Sequence, residues 1–227
     1  NFLVGNFERH EIPSLAEKLK KFDFGSPNTT SLSVFGERLL LDGINAILSP
    51  DNVEYAKRGG VHQGHPFVVE VALAYGGSEI KPARDYDYTV IRFANKTPLI
   101  YEQSSCLLYR TIRDLNFQQY GLSPDDRVAF IVHLVSTKLP YKTLGKEYIA
   151  DVPEIARALK NAAQDTLRRT RVYTSRLKRE NRLKKRISVY AAYFTTIASR
   201  LASLVGEKPE TIAKDLARLL KKEGEEK

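Results

Sequence analysis

Residues 136–155 read S-T-K-L-P-Y-K-T-L-G-K-E-Y-I-A-D-V-P-E-I, with a strand ending at the front of the stretch and a helix starting at its back. Ahead of it, Val128, Phe130, Val132 and Leu134 recur with the period of two that a strand requires. Behind it, Pro153 and Glu154 suit the first turn of a helix. The proline lacks an N–H that is unneeded there, and the glutamate faces the positive end of the helix dipole. The loop between carries Lys138, Lys142 and Lys146, with Gly145 directly before Lys146. A lysine behind a glycine is a mobile point charge that can reach a phosphate. A helix rooted in the same loop would pass any displacement on as a rigid rod. That is the physical outline of a switch.

Working outward, apolar residues recur at 155, 159, 163, 167, 173, 177, 183, 187, 190, 194, 197, 201 and 204, and no proline interrupts the run. This predicts one helix from Pro153 to about Gly206, far longer than usual and projecting as a stalk. The closing residues 207–227 predict a short amphipathic helix and a charged tail. Toward the N-terminus, strands are predicted over 67–75, 88–94 and 127–136, with 97–101 a third strand or a continuation broken at Asn95-Lys96. A helix is predicted over 104–115. Alternating strands and helices favour a layered α+β domain, a mixed sheet with helices on one face. Residues 51–65, with Gly59-Gly60 and Gly64 as breakers, predict a loop. Residues 1–50 predict a helical lead-in: helix 14–22 with Ser14 as N-cap and Glu17 in capping-box position, a turn cluster from Phe24 to Ser31, and helix 34–48.

Composition narrows the function classes. The 227 residues carry 42% hydrophobic residues and a net charge of +9. No apolar run approaches the ~20 residues that span a membrane. The start does not read as a signal peptide, and its asparagine, in a chain without methionine, predicts a piece of a longer chain or one with its front removed. The single cysteine, Cys106, excludes an internal disulfide and reads as a small buried hydrophobe, which favours an intracellular location. The positive charge points to nucleic acid or an acidic partner. His10, His62, His65 and His133 show no metal-ligand spacing, and His133 reads as a core or edge residue of its strand.

The loop stretch, together with H-P-F-V-V-E-V-A-L-A-Y-G-G (65–77), R-F-A-N-K-T-P-L-I-Y (92–101) and H-L-V-S-T-K (133–138), resembles the transducer domain of the B subunit of DNA topoisomerase VI, from about Phe24 to about Gly206. S-L-S-V-F-G-E-R-L (31–39) is similar to the end of the helix-two-turn-helix domain that precedes it, so 1–50 reads as a remnant of that domain, 51–156 as the transducer and 157–206 as its stalk. The resemblance implies a transducer-type βαβ sandwich with a left-handed crossover. It also implies that Lys146 is the switch lysine reaching the γ-phosphate of ATP, with Mg2+, in a neighbouring domain. The implied assembly is an ATP-hydrolysing type IIB topoisomerase, a heterotetramer in which this chain works with the DNA-cleaving A subunit of topoisomerase VI and with a second copy of its own B subunit. Such an enzyme relaxes supercoiled double-stranded DNA by double-strand passage in the archaeal cytoplasm, next to the nucleoid. No G-x-x-x-x-G-K-[ST] run is present, nor the Asp-x-Gly-x-Gly of this ATPase superfamily, so the chain alone is not expected to hydrolyse ATP.

Two further surfaces follow. From Arg157 to Arg186 twelve basic residues face only Asp165 and Glu180. This favours contact with DNA phosphates, with Arg168, Arg169 and Arg171 at its centre, over a merely solvated face. F-Q-Q-Y-G (117–121) occupies the position of a Trp-Lys-x-Tyr motif that the family associates with DNA. Only Tyr120 and the aromatic at 117 survive here, and a packed helix-ending turn is an equal reading. Further along, Tyr190, Tyr193, Phe194, Ile197 and Leu201 form an apolar stripe that needs a partner, which the resemblance assigns to the DNA-cleaving subunit. A stand-alone nucleic-acid adaptor using the long helix is the alternative.

Overall fold

The computed structural model describes residues 8–22, 29–143, 145, 147–206, 208 and 210–214. Lys146, most of the turn cluster and the tail from 215 lie outside them. Among the described residues, the helices α1 (Ile12–Lys21), α2 (Glu37–Leu48), α3 (Leu107–Arg113) and α4 (Pro153–Val205) accompany the strands β1 (Asn52–His62), β2 (His65–Tyr75), β3 (Thr89–Ala94), β4 (Thr97–Pro98) and β5 (Val128–Ser136). The strands form one mixed sheet in the order β1-β2-β5-β3-β4. Neighbours are antiparallel except β3 and β5, which run parallel. The parallel pair needs a crossover, and α3 lies within it.

Residues 51–65 are not a loop. Asn52–His62 pairs along its whole length with His65–Tyr75, and the two-residue turn Gln63-Gly64 has both φ angles positive, the geometry that matches strand twist in a tight hairpin. Gly59 and Gly60 are strand residues rather than breakers. A Cβ at Gly60 would stand 2.6 Å from Cζ of Phe67, so that glycine makes room for a cross-strand ring.

Helices cover both faces of the sheet rather than one. Leu40 and Ile44 of α2 pack on Ala72, Ala74, Ala129 and Ile131. In the pairing register, Arg58 and His62 belong to the opposite face, and there they meet Asp165 and Glu154 at the start of α4. With both faces covered, all nine residues of β5 are buried, so the alternation of Val128, Phe130, Val132 and Leu134 was only half of its apolar pattern.

The lead-in is helical, with shifted borders. α1 begins at Ile12 with Pro13 in its first turn and Glu11 as N-cap, so Ser14 lies inside the helix and caps nothing. The proline supplies the helix start that the capping box was expected to give. α2 starts only at Glu37, because Gly36 leaves the helical region with φ 79°. β4 is short, and α3 is shorter than 104–115. Cys106 precedes α3 and is fully buried.

The long helix is continuous from Pro153 to Val205. Gly206, with φ 76°, ends it by donating its amide to the Ala202 carbonyl at 3.0 Å. The chain groups into two compact units. One holds residues 1–116 and 123–167 and contains the sheet; the other holds 117–122 and 168–227.

Candidate functional site

β5 ends at Ser136, whose hydroxyl donates to the Pro66 carbonyl at 3.0 Å and accepts the Lys138 amide at 3.2 Å. Thr137 Oγ1 lies 3.1 Å from Nδ1 of His65, so the root of the loop is fastened to β2. Beyond it the chain forms a paired tongue. Tyr141 and Ile149 make an antiparallel bridge. The Ala150 amide donates to the Pro140 carbonyl at 2.7 Å and the Lys142 amide to the Tyr148 carbonyl at 3.4 Å. In sequence, Lys146 lies between these two arms, outside the described residues. Lys138 and Lys142 are exposed along the approach, and burial pushes the Tyr141 hydroxyl up from its ordinary pKa.

The base of the tongue is tied to two helices. Ile149 is fully buried, and its carbonyl accepts the Leu107 amide at the start of α3 at 3.1 Å. Asp151 pairs with Arg110 of α3 at 2.6 Å. Two residues later Pro153 opens α4. The base of the tongue is thus continuous along the chain with β5 and α4, and joined to α3 by one hydrogen bond and one ion pair. Sequence reasoning singled out Lys146 but overlooked the paired arms, although β-prone Tyr141 on one side and Tyr148-Ile149 on the other were a readable sign.

Gly145 is exposed and lies against the Glu147 side chain. A Cβ there would meet Oε1 of Glu147 at 3.2 Å and its Cγ at 3.4 Å, so the glutamate side chain folds back over the glycine. Between the tongue and the β3–β4 edge lies a half-open cleft of about 520 Å3, with Ala94, Thr97, Leu99, Tyr101, Tyr141 and Glu147 among its walls. The described residues include no group of three His, Cys, Asp or Glu that could hold a metal ion. Lysines and a single acid on a narrow tongue fit one phosphate contact and do not fit a cradle for a nucleotide with its magnesium.

In the second unit, Arg168, Arg169 and Arg171 are exposed on α4. Farther along, Arg176 pairs with Glu180 at 3.0 Å, and Lys178 Nζ donates to the Gly121 carbonyl at 2.8 Å. That bond fastens the 117–122 turn to the helix. Phe117 and Tyr120 are buried, and the solvent side of the turn is Gln118 and Gln119. Toward the far end, Tyr190, Tyr193, Ile197 and Leu201 are exposed and Phe194 is half-buried, while Ala198 and Ala202 are buried. Among the described residues no helix is long and apolar enough to cross a membrane.

The sequence pattern of the family described as topoisomerase VI B subunit, transducer, matches residues 27–186. The chain belongs to this family. As a transducer it is 38% identical over 205 residues to the B subunit of type 2 DNA topoisomerase 6 from Saccharolobus solfataricus, covering 89% of this chain and 38% of that protein. The corresponding protein of Saccharolobus islandicus is 36% identical over 233 residues, 98% of this chain and 43% of its own. The transducer chain thus spans about two-fifths of the length of these curated relatives. Among solved structures, the B subunit of DNA gyrase from Myxococcus xanthus is 15% identical over 52% of this chain and 34% of its own, with a TM-score of 0.34, too distant to bear on the site.

Proposed function

We propose that this transducer relays a nucleotide signal to DNA cleavage within a type IIB topoisomerase. Lys146 supplies one cation to the γ-phosphate of ATP, which is held with its magnesium by a neighbouring domain. The observation that carries the reading is the tongue, a paired arm whose base runs directly into the 53-residue helix α4. A cation at a phosphate senses whether that charge is present, and a rigid arm turns this into displacement. The rest of the assembly is a second copy of this chain's own protein and the DNA-cleaving subunit, docked on Tyr190, Tyr193, Phe194, Ile197 and Leu201, working in the cytoplasm. An exposed apolar stripe of that size supports such docking.

Duplex DNA lies along the basic part of α4. Arg168, Arg169 and Arg171 contact phosphates, giving affinity without sequence choice. Tyr120, being buried, supports any DNA contact by holding its turn in place, so that Gln118 and Gln119 are the groups within reach of a phosphate.

The test is relaxation of supercoiled DNA by the assembled enzyme, with the ATPase domain and the DNA-cleaving subunit present. Lys146→Ala is expected to abolish ATP-dependent relaxation and most ATP hydrolysis while assembly persists. Full activity in that variant would reduce Lys146 to a surface lysine.

A further inference from the structure

The two-residue turn between β1 and β2 carries a histidine on each side, and His62 and His65 pair directly across it. His65 Nδ1 lies 3.1 Å from Oγ1 of Thr137, the first residue after β5. His62 Nδ1 lies 3.3 Å from Oε2 of Glu154, the second residue of α4. Thr137 and Glu154 bracket the lysine-bearing segment that joins β5 to α4. One tight turn thus touches that segment where it enters and where it leaves. The hairpin behind the turn is paired along both of its 11-residue strands, which makes it a firm anchor.

The two contacts differ in chemistry. A threonine hydroxyl both donates and accepts, so it bonds the His65 ring whether Nδ1 carries a proton or a lone pair. His62 has no such latitude. Its Nδ1 is buried and has no hydrogen-bond partner among the described residues, although the Glu154 carboxylate stands beside it. What joins them is an attraction between full charges, present only while the imidazole is protonated. The neighbouring charges are already matched: Arg58 of β1 with Asp165 of α4, and Asp151 with Arg110 of α3. His65 stands opposite on β2, and exposed Lys138 follows Thr137 in the segment. We propose that His62 and His65 are positioning residues that clasp the two ends of this segment. His65 fastens the entry in either ring state, and His62 holds the first turn of α4 to the sheet only when protonated. That hold is present at low pH and is lost as pH rises through the range in which an imidazole gives up its proton, about pH 5 to 8. The clasp does not depend on the topoisomerase reading; only its use in aiming Lys146 does.

The measurement is amide hydrogen exchange in the full chain, followed by nuclear magnetic resonance and expressed relative to an unstructured chain at the same pH. The Ala156 amide, which donates to the Val152 carbonyl at 2.9 Å, reports on the first turn of α4. His62→Gln, Glu154→Gln and the double variant form a cycle in which the helix-dipole share of the Glu154 charge cancels. At about pH 5.5 the coupling between the two changes is expected to be about threefold in Ala156 protection, the size of a partly exposed ion pair. At about pH 8 it is expected to vanish. No coupling at the lower pH, or equal coupling at both, would overturn the proton-dependent hold. His65→Phe, which removes the bond to Thr137, is expected to lower protection of the Lys138 amide about threefold at both pH values. An unmoved Lys138 amide would overturn the fastening at the entry. All of this is read without ATP, DNA or the Lys146 side chain, so the clasp and the Lys146 relaxation assay can fail independently.

Discussion

Glu70 lies at the middle of β2, fully buried, and four donors converge on its carboxylate. The Phe35 and Gly36 amides donate at 2.9 and 2.8 Å, the Tyr55 hydroxyl at 2.7 Å, and His133 Nδ1 lies 2.7 Å away. Nε2 of His133 accepts the Lys96 amide at 3.0 Å, so the ring's proton sits on Nδ1 and is donated to Glu70. Burial alone would raise the carboxyl's pKa; the bonds from His133, Tyr55, Phe35 and Gly36 outweigh it and hold the group at about 2. Burial and the same carboxylate push the Tyr55 hydroxyl upward. Because the folded value lies below the unfolded one, this stabilisation is complete above about pH 4.5 and is lost as pH falls from there toward 2. It amounts to something on the order of 3 kcal/mol. Urea titrations at pH 7 and pH 3 are expected to show that loss in the parent and a much smaller one in Glu70→Gln, which is also weaker at pH 7. None of this network was legible in the sequence beyond His133 as a core residue. Glu70 reads as a polar interruption of an apolar strand, and its partners lie 15 to 63 residues away in the chain.

Among the elements, α4 was readable nearly to the residue because its apolar spacing holds for many turns and Gly206 stops it. β2, β3 and β5 were readable because they are unbroken apolar or alternating runs. β1 was hidden: K-R-G-G at its centre has the composition of a turn, and only the ring of Phe67 across the hairpin explains why glycine belongs there. That reason makes a prediction. Gly60→Ala should destabilise the fold by about 1–3 kcal/mol through overpacking. Gly59→Ala, whose Cβ would meet its nearest neighbour at 3.4 Å, should cost clearly less. Chemical denaturation midpoints of the two variants measure the difference, and equal midpoints would remove Phe67 as the cause. The tongue was half legible: the sequence marked a lysine-bearing loop there, and its paired arms show only in their backbone bonds.

At the scale of the molecule, the basic part of α4 is the feature that composition announced most plainly. If Arg168, Arg169 and Arg171 each neutralise one phosphate, replacing all three by glutamine should flatten the slope of log affinity against log salt for duplex DNA by about 2.5. Binding measured between low and physiological salt decides this, and an unchanged slope would move the DNA elsewhere. The lead-in has a different consequence. The carboxylate at the centre of the sheet takes two of its four donors from the backbone just ahead of α2, and α2 covers one face of that sheet. The piece that evolution or an engineer could transplant between proteins as one heritable cassette therefore starts ahead of Phe35. A graft joined at residue 50 would strand a buried negative charge with half its donors missing, and is expected to arrive unfolded.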